Sequence, residues 1–540
     1  MARTMRIGAA PEYRGEPVAL IDYLDHWAAE APDREAAVDG NCRLTYAQLA
    51  ETVDECARAF LGVGVREEDR VAMLSTPRIE FLIVFLALSR IGAVWVGLNP
   101  RHTRAELEYV IADADCRMLI AIDRFEGRDY TEDIRALSAQ QQLVSEPLVI
   151  TSEAPDPRFF SALAASAMPP RKPPARARTP AGARPSLIVY TSGSTGRPKG
   201  ALLSGSALIS TYRRLAAYLA VGEMRLAAEL PVDHVGGIDR VFLALIEGGL
   251  IVFLRRFDPR ELLECIQHER ITSWNGELTQ LIKCAPLLDG YDLSSLEVIG
   301  YGGGPPPQAL LERYKAIVPR IWTGYGMTET GDAVMLTDPE ASLEVLCEHN
   351  VGRPIDGVCI RLVAPDGKLV LSGEVGELEV RSARLFLGYL GSARGTAESF
   401  TEDGWFRTGD LLRERPDASF EFLGRGDLTY KSGGYNIYPR EVEIALESHP
   451  AVGAAAVVSV PDDLFQAAGH AFVEPADCAP EASAEELFLH CSASLARYKI
   501  PRSITVLHRL PTLRNEKIDR VRLRELALGR FEQSDGEELG

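Results

Sequence analysis

A run of glycines and short hydroxyl residues, Thr191-Ser-Gly-Ser-Thr-Gly-Arg-Pro-Lys-Gly200, directly follows the apolar segment Leu187–Tyr190. Such residues let backbone N–H groups approach an anion closely, and Lys199 adds a compact positive charge. The run therefore predicts a phosphate-binding loop after a buried strand. It is not a Walker A motif, because Lys199 is followed by glycine rather than Ser or Thr. A flexible linker is the plain alternative, but linkers rarely follow an apolar strand directly.

The first 120 residues alternate between helical and strand-like patterns. Thr45 and Gln48 form a predicted capping box for a helix that ends at Gly62. Arg70–Leu74 and Ala93–Leu98 are predicted strands on either side of a buried helix. This β-α-β order predicts an α/β fold with a mostly parallel sheet covered on both faces.

The alternation of predicted helices and strands is interrupted once and resumes near the C-terminus. Residues 151–185 are rich in proline and arginine, which predicts a surface excursion between subdomains. Pro439 is predicted to begin a helix that His449 and Pro450 stop. Val452–Val460 then reads as a strand and Glu485–Arg497 as an amphipathic helix. These elements predict a compact C-terminal unit of about 110 residues.

Composition excludes several classes of protein. The 540 residues carry a formal net charge of −19, which disfavours non-specific binding to nucleic acid or anionic membranes. No secretory signal is recognised at the start of the chain, and the apolar run Phe81–Leu88 is too short for a membrane span. The nine cysteines are scattered without a CxxC pair, which favours core positions in a reducing compartment. We therefore expect a cytoplasmic protein.

Further motifs follow the glycine-rich run in a fixed order. They are Tyr325-Gly-Met-Thr-Glu-Thr330, Gly404-Trp-Phe-Arg-Thr-Gly-Asp-Leu411, Gly424-Arg-Gly-Asp427 with Lys431-Ser-Gly-Gly434, Tyr438-Pro-Arg-Glu-Val-Glu443, Tyr498-Lys-Ile-Pro501 and Pro511-Thr-Leu-Arg-Asn-Glu-Lys-Ile-Asp-Arg520. Together with the glycine-rich run, this series resembles the adenylate-forming superfamily, in particular its acyl- and aryl-CoA ligase branch. The resemblance covers about residues 20 to 526, which is nearly the whole chain.

The resemblance implies a fold and a reaction. The implied fold is a large N-terminal domain of stacked α/β subdomains, residues 1–426, and a small mobile α+β lid, residues 427–540, with a hinge at Asp427. The implied reaction activates a carboxylic acid with ATP and Mg²⁺ to an acyl-adenylate and then transfers the acyl group to coenzyme A. Both steps develop negative charge, so such a site needs positioned donors and cations more than a nucleophile.

The resemblance also assigns residues to ATP. Lys199 and the loop before it would hold the β- and γ-phosphates, Thr328 the α-phosphate and Glu329 the Mg²⁺ ion, while Tyr325 would flank the adenine. Asp410 would accept the ribose hydroxyls, Arg425 would bind ribose or phosphate, and Lys431 would contact AMP or the carboxylate. The full set implied for ATP or AMP is Thr191, Ser192, Gly193, Ser194, Thr195, Gly196, Lys199, Gly303, Gly304, Tyr325, Gly326, Asp410, Arg425 and Lys431.

A second group of residues is implied for the acid and the thiol. His234 falls where CoA ligases often carry a gating aromatic residue or histidine, and strand alternation is expected to turn the neighbouring Asp233 away. An amino-acid substrate is therefore disfavoured, and an aryl, alicyclic or medium acyl group is expected. The residues implied for the acyl pocket are His234, Val235, Gly236, Gly302 and Gly324, and those for the passage of the thiol are Ser432, Gly433 and Gly434.

Lys517 matches the family's adenylation lysine, but its context departs from the pattern. The residue before it is Glu516, where the family usually has glycine. Tolerated variation on a loop is one interpretation. A weakened first step, in which Glu516 pairs with Lys517 or stiffens the loop, is the other.

Several alternatives stay open from the sequence. The acceptor is coenzyme A or the phosphopantetheine of a carrier protein, since both present the same thiol. Two other kinds of protein remain as alternatives. One is a half-reaction relative that binds an adenylate, and the other is an ordinary ATPase. The expected state is a monomer or a homodimer.

Overall fold

The computed structural model describes residues 19–140, 143–166, 184–191, 198–303, 306–432, 435–462, 466–476, 482–495, 499–513 and 517–529. These residues form two compact units. The larger unit lies within residues 3–360 and 380–406, and the smaller within residues 361–379 and 407–540. The smaller unit thus includes residues that precede Asp427. The predicted bounds 1–426 and 427–540, and the hinge itself, stay predictions.

The secondary structure alternates as the sequence predicts. The helices are α1 Leu20–Glu30, α2 Tyr46–Val63, α3 Ile79–Ile91, α4 Arg104–Asp113, α5 Thr131–Gln140, α6 Ser161–Ser166, α7 Gly205–Leu219, α8 Val235–Glu247, α9 Pro259–Glu269, α10 Leu278–Cys284, α11 Gln308–Lys315, α12 Leu343–Cys347, α13 Ala393–Glu398, α14 Pro439–Glu447, α15 Ala484–Ser494 and α16 Arg520–Ala527. The strands are β1 Glu35–Asp39, β2 Cys42–Thr45, β3 Arg70–Leu74, β4 Val94–Leu98, β5 Met118–Ile122, β6 Arg124–Phe125, β7 Arg128–Asp129, β8 Leu148–Ile150, β9 Pro185–Thr191, β10 Lys199–Ser204, β11 Arg225–Ala228, β12 Leu250–Phe253, β13 Ser273–Glu277, β14 Val298–Gly302, β15 Arg320–Met327, β16 Asp332–Leu336, β17 Arg353–Pro354, β18 Val358–Val363, β19 Val375–Ser382, β20 Gly388–Tyr389, β21 Phe406–Glu414, β22 Phe420–Arg425, β23 Tyr430–Ser432, β24 Tyr435–Ile437, β25 Val452–Asp462, β26 Gln466–Pro475 and β27 Ser503–Val506.

Two large sheets build the larger unit. One has nine strands in the order β17-β16-β15-β14-β13-β11-β12-β1-β2, and its strands from β15 to β1 are parallel. The other has seven strands in the order β20-β10-β9-β4-β3-β5-β8, parallel from β9 to β8. The predicted α/β class with mostly parallel sheets is confirmed.

Apolar helices form the core of the larger unit. Helix α3 is almost fully buried and is apolar apart from Glu80, which pairs with Arg78, and Ser89 and Arg90 near its end, as is expected of a helix enclosed on most sides. Its Phe85 ring lies 4.6 Å from the ring of Phe242 on α8. Helix α8 packs against β11 and β12 of the nine-stranded sheet and α3 against β4 of the other, so this ring pair joins the layers of the two sheets.

Local sequence signals placed most boundaries well. The capping box of Thr45 and Gln48 is present at the start of α2, and Pro439 is the first residue of α14. The predicted stop at Gly62 is wrong, because α2 continues to Val63 and ends at Gly64 in the left-handed conformation with φ of +106°. Residues 167–183, which hold most of the proline-rich stretch, lie outside the described residues.

Burial and hydropathy agree with the composition. Within the described residues, Cys56, Cys116, Cys265, Cys284 and Cys491 are buried and three further cysteines are half-buried. None of the described helices is long and apolar enough to cross a membrane.

A buried carboxylate holds the smaller unit together. Glu443 on α14 is fully buried and accepts hydrogen bonds from the Arg520 guanidinium at 2.6 Å and from the backbone N–H of Val457 at 2.8 Å. The Arg440 guanidinium lies 3.4 Å from its other oxygen. Helix α14, strand β25 and helix α16 therefore meet at one charged side chain. This explains why the segment Tyr438–Glu443 carries a glutamate at its end.

We expect Glu443→Gln to destabilise the smaller unit by about 3 kcal/mol, because it removes a fully buried carboxylate and leaves the half-buried Arg520 guanidinium without its counter-charge, whereas Arg440 keeps its ion pair with Glu447. Hydrogen–deuterium exchange of peptides from β25 measures the free energy of opening. Glu398→Gln is the matched control: it removes an exposed ion pair with Arg394, four residues away on the same helix, and should change stability by less than about 0.5 kcal/mol. Equal protection of β25 in wild type and Glu443→Gln would contradict the prediction.

Candidate active site

The carboxyl ends of the parallel strands of the nine-stranded sheet carry most of the predicted residues of the larger unit. Gly302 ends β14, Tyr325 and Gly326 lie near the end of β15, and Thr328 and Glu329 form a 3₁₀ turn directly after it. Open α/β sheets bind ligands outside the carboxyl ends of their strands. The fold therefore places these residues, which follow two neighbouring parallel strands, at the kind of edge where a ligand binds.

The turn with Thr328 and Glu329 depends on a close backbone contact. A Cβ atom at Gly326 would lie 2.3 Å from the carbonyl oxygen of Asp332, so only glycine lets β15 approach β16 here. The Thr330 hydroxyl accepts a hydrogen bond from the Met327 N–H at 2.9 Å and closes the turn. Glu329 is buried, with only 6% of its surface exposed. Thr328 beside it is half-buried.

Tyr389, which the sequence analysis did not identify, links two of the predicted residues. Its hydroxyl donates a hydrogen bond to Glu329 Oε1 at 2.8 Å, and the Nζ atom of Lys199 lies 5.3 Å from the centre of its ring. The tyrosine is positioned because β20 pairs with β10, with Tyr389 opposite Ala201. The signal available in the sequence was the dipeptide Gly388-Tyr389 before a small helix, which is too short to indicate a site.

Backbone contacts hold the Glu329 turn against the same segment. The Phe386 N–H donates to the Glu329 carbonyl at 2.9 Å, and the Tyr389 N–H donates to Thr396 Oγ1 at 2.8 Å. The ring of Tyr389 packs edge-on against Phe386, with their centres 4.8 Å apart. The phenol is therefore fixed from three sides, and it holds the Glu329 carboxylate in one orientation.

His234 is the N-cap residue of α8 and its side chain is 44% exposed. The adjacent Asp233 is buried and accepts a hydrogen bond from Asn99 Nδ2 at 2.9 Å. The same Oδ2 atom of Asp233 lies 3.6 Å from His234 Nε2, so the expectation that strand alternation turns Asp233 away from His234 is wrong. Residues 231–234 form a turn that leads into α8, not a strand, and burial against Asn99 sets the direction of Asp233.

The glycines of the predicted acyl pocket differ in how much space surrounds them. A Cβ atom at Gly236 would meet nothing within 4 Å, so open space adjoins this residue, whereas one at Gly237 would lie 2.0 Å from the Pro231 carbonyl oxygen. Gly324 is required by packing as well, since its Cβ would lie 2.4 Å from the Met335 carbonyl oxygen. Val235 is buried in the first turn of α8. Room for an acyl group is thus indicated at Gly236, and the predicted pocket residues stay predictions.

Gly303, after β14, has a φ of +92°, and a Cβ there would lie 3.0 Å from Glu277 Oε2. Thr191 ends β9 and faces Lys199, the first residue of β10, across the antiparallel pair. These two residues flank the glycine-rich run. The run itself lies outside the described residues, as do other predicted positions: Ser192, Gly193, Ser194, Thr195, Gly196, Gly304, Gly433 and Gly434.

In the smaller unit, Asp410 and Arg425 are register partners on the antiparallel strands β21 and β22. Arg425 Nη1 donates to Asp410 Oδ1 at 3.2 Å and to the Thr408 carbonyl at 3.0 Å. Asp410 is buried and Arg425 is 43% exposed. The two residues predicted for ribose are therefore adjacent, and the guanidinium reaches solvent beside the carboxylate.

The remaining predicted residues of the smaller unit lie on two segments. Asp427 is in the 3₁₀ turn Gly426–Leu428, and Lys431 and Ser432 are in strand β23. Lys517 is exposed on the return side of a hairpin, where its carbonyl accepts from the Leu513 N–H at 2.7 Å. Glu516 lies outside the described residues. The roles implied for these residues stay predictions.

A cleft of about 1150 Å³ lies elsewhere in the larger unit and is lined by Asp39, Arg78, Arg124 and Arg255 among others. None of the predicted site residues lines it. Volume alone is therefore a poor guide to the site in this fold, and the chemical groups lie instead around Tyr389, which contacts both Glu329 and Lys199.

The Glu329 carboxylate suits magnesium. Mg²⁺ is bound in such sites by one or two carboxylates together with substrate phosphates and water. Glu329 offers one buried carboxylate whose Oε1 is already held by a phenol, and Lys199 lies on the other side of that phenol. No group of three or more His, Cys, Asp or Glu side chains arranged for a metal occurs among the described residues. The single carboxylate of Glu329 therefore fits a Mg²⁺ ion that is already bound to the phosphates of a nucleotide.

Comparison with known proteins identifies the family. The model of the AMP-binding enzyme family matches residues 24–390, and the model of the AMP-binding enzyme C-terminal domain matches residues 441–517. The chain belongs to the AMP-binding enzyme family. Within this adenylate-forming superfamily it is placed in the acyl- and aryl-CoA ligase branch, and the predicted class, an AMP-forming acid–CoA ligase, is confirmed.

Three AMP-binding enzymes illustrate what the chain is similar to. It is 34% identical to a feruloyl-CoA synthase of an Amycolatopsis species, over 91% of this chain and 95% of that protein. It is 31% identical to a 2-succinylbenzoate–CoA ligase of Bacillus licheniformis, over 93% and 99%. The structure of the O-succinylbenzoate coenzyme A synthetase MenE of Bacillus subtilis in complex with ATP and a magnesium ion matches with a TM-score of 0.78 and 27% identity, over 93% and 98%.

We expect Tyr389→Phe to weaken binding of ATP about tenfold when Mg²⁺ is present, because a hydrogen bond to a charged group contributes about 1.5 kcal/mol and each 1.4 kcal/mol is a factor of ten. Calorimetry with ATP in Mg²⁺ and in EDTA measures the effect, and the EDTA value should change less than about twofold.

Tyr314→Phe is the matched control, because it also removes one buried phenol hydrogen bond, to the Leu281 carbonyl at 2.8 Å, but on α11. An equal loss of affinity with and without Mg²⁺ in Tyr389→Phe would contradict the assignment of Tyr389 to the metal side of the site.

Proposed function

We propose that this protein activates a carboxylic acid with ATP and transfers the acyl group to coenzyme A. In the first step a carboxylate oxygen bonds to the α-phosphorus and the bond to pyrophosphate breaks. In the second step a thiol attacks the acyl carbon and AMP leaves. The observation that carries the proposal is the assembly of Lys199 and Glu329 around Tyr389, where strands β10 and β20 of the seven-stranded sheet meet the turn after β15, in a chain of the AMP-binding enzyme family.

The residues of this assembly suit the charges of the first step. Lys199 and the loop before it would hold the β- and γ-phosphates, and Thr328 would bond the α-phosphate. Glu329 would hold Mg²⁺, which when bound offsets the negative charge of the phosphates. Positioned groups of this kind stabilise charge that develops in the transition state, and they need no reorganisation at the moment of reaction.

Residues of the smaller unit complete the proposal. Lys517 would bridge the attacking carboxylate and the α-phosphate, Asp410 and Arg425 would hold the ribose, and Lys431 would contact AMP or the carboxylate. A rotation about Asp427 would then move Lys517 away from the reacting groups. It would bring Ser432, Gly433 and Gly434 there for the thiol step. Alternating arrangements of one mobile domain are a known form of hinge motion.

The proposed substrate is an aryl, alicyclic or medium acyl acid. The open space beside Gly236 and the exposed side chain of His234 support a pocket at the start of α8. The names of the Amycolatopsis and Bacillus relatives refer to aromatic acids.

A panel of carboxylic acids with ATP and CoA, read by mass spectrometry for the thioester and for AMP, tests the proposal. We expect a thioester and CoA-dependent release of AMP. Thioester formation on a phosphopantetheine carrier protein but not on CoA would identify the acceptor as a protein. ADP as the product would contradict the proposal and indicate an ATPase.

We expect Lys517→Ala to slow adenylate formation at least about a hundredfold, since loss of one positioned group at a developing charge has an effect of this size. Formation of the thioester from a supplied acyl-adenylate should stay within about threefold of wild type. Lys368→Ala, which removes an 82% exposed lysine paired with Asp366, is the control and should change neither step. Equal losses in both steps would contradict the role of Lys517.

The weakened-first-step hypothesis for Glu516 makes its own prediction. It requires slow ATP–pyrophosphate exchange in the wild type and roughly tenfold faster exchange in Glu516→Gly, because glycine frees Lys517 from the neighbouring carboxylate. Brisk exchange in the wild type would contradict the hypothesis and favour tolerated variation at this position.

A further inference from the structure

Helix α4, which carries none of the predicted site residues, contacts the chain directly before Lys199. Tyr109 on this helix donates a hydrogen bond from its hydroxyl to the Pro198 carbonyl at 3.0 Å. This carbonyl belongs to the peptide group that joins Pro198 to Lys199. The contact therefore fixes the backbone on the N-terminal side of the lysine.

Tyr190 connects the same helix to the residue directly after the lysine. Strands β9 and β10 pair so that Tyr190 lies opposite Gly200, and a Cβ atom at Gly200 would lie 3.1 Å from the Cζ atom of the Tyr190 ring. The ring thus lies against the backbone of Gly200. Its hydroxyl donates a hydrogen bond to Oδ2 of Asp113, the last residue of α4, at 2.6 Å. Helix α4 therefore reaches the C-terminal side of Lys199 through one phenol.

The position of Asp113 is electrostatically unfavourable for the helix itself. A carboxylate in the last turn lies near the partial negative charge of the helix C-terminus, and residues 110–113 contain no basic residue that would offset it. Burial and the hydrogen bond to Asp113 raise the pKa of Tyr190, so its hydroxyl stays protonated and donates. A hydrogen bond to a carboxylate is stronger than one between neutral groups. The contact with Tyr190 therefore accounts for a carboxylate that the helix alone disfavours.

Helix α4 is a firm support for these contacts. Thr103 and Glu106 form a capping box at its start, in which the Thr103 N–H donates to Glu106 Oε2 at 2.6 Å. The rings of Tyr109 and Tyr190 meet edge-on, with their centres 6.5 Å apart. The helix is packed into the unit by its buried residues Leu107, Val110 and Ile111.

A lysine needs such support if its ammonium group is to bind phosphate in one place. Its four-carbon side chain is flexible, so the backbone must be fixed before the charge can be positioned. At Lys199 the backbone is held at the residues before and after it, and Nζ lies 5.3 Å from the centre of the Tyr389 ring.

We propose that Tyr109 and Asp113 are positioning residues for Lys199. They fix the backbone on its two sides and so hold its ammonium group where the β- and γ-phosphates of ATP bind. The inference rests on the proposed function, because it takes Lys199 to bind these phosphates. AMP has neither phosphate, so binding of AMP does not depend on these two residues.

Calorimetry on the full-length enzyme with ATP and with AMP tests the inference. We expect Tyr109→Phe to weaken binding of ATP about fivefold, because it removes the hydrogen bond that fixes the Pro198 carbonyl. Binding of AMP should change less than about twofold. Formation of the thioester from a supplied acyl-adenylate should stay within about twofold of wild type, since pyrophosphate has left before that step.

Two substitutions at Asp113 separate positioning from stability. Asp113→Ala removes the acceptor for the Tyr190 hydroxyl and should weaken binding of ATP at least about threefold. Asp113→Asn keeps an acceptor oxygen and should stay within about twofold of wild type. Both variants should change the melting temperature little, because removal of a carboxylate from a helix C-terminus is itself favourable.

Lys199→Met determines whether the tyrosine acts through the lysine. In this background Tyr109→Phe should change the affinity for ATP less than about twofold, because the ammonium group that it positions is gone. Tyr314→Phe is the matched control. It removes a buried phenol hydrogen bond to the Leu281 carbonyl, so it should lower the melting temperature and leave the ratio of ATP to AMP affinities unchanged.

The outcomes are distinguishable. Unchanged binding of ATP in Tyr109→Phe, equal losses for ATP and AMP, or an undiminished loss in the Lys199→Met background would overturn the inference. Equal affinity for ATP in wild type and Lys199→Met would overturn it as well. A wild type that binds ATP but forms neither thioester nor AMP with any acid would contradict the proposed function instead, and the titrations would still decide the inference.

Discussion

The parallel order of the nine-stranded sheet is the constraint on which the larger unit depends. Parallel strands require crossovers, and their carboxyl ends meet at one edge, so the residues that follow β14 and β15 lie side by side there. At this edge the backbone approaches so closely at Gly326 that a side chain is excluded. The chemical groups are thus carried by short turns between rigid strands, which fixes them more firmly than a long loop would.

The chain combines a strongly acidic surface with ligands that are themselves anions. It can do so because its relevant positive charge is local. Lys199 lies over an aromatic ring, and Arg425 is held by Asp410 and a backbone carbonyl. A cation–π contact and an ion pair both hold a cation in one orientation. Neither prevents the cation from attracting a phosphate group. The net charge of −19 therefore limits non-specific partners but does not oppose nucleotide binding.

Sequence patterns predicted the parts of this fold that local physics determines. The capping box at Thr45, the proline that begins α14 and the apolar strands appear where periodicity and cap chemistry place them. The Glu329 turn was located by its motif. Tyr389 was not, because its importance comes from the pairing of β20 with β10, nearly 190 residues apart in the chain. The orientation of Asp233 was predicted wrongly, since Asp233 lies in a turn, where strand alternation does not apply, and contacts both Asn99 and His234.

The buried Glu443 has a consequence for how unfolding of the smaller unit can be detected. Arg520, one of its partners, follows Lys517 by three residues, so the base of the lysine hairpin is anchored through this carboxylate. All five tryptophans of the chain, Trp27, Trp95, Trp274, Trp322 and Trp405, belong to the larger unit. Tryptophan fluorescence therefore does not report directly on loosening around Glu443. A native tryptophan spectrum is therefore no evidence that the contact between Glu443 and Arg520 is intact.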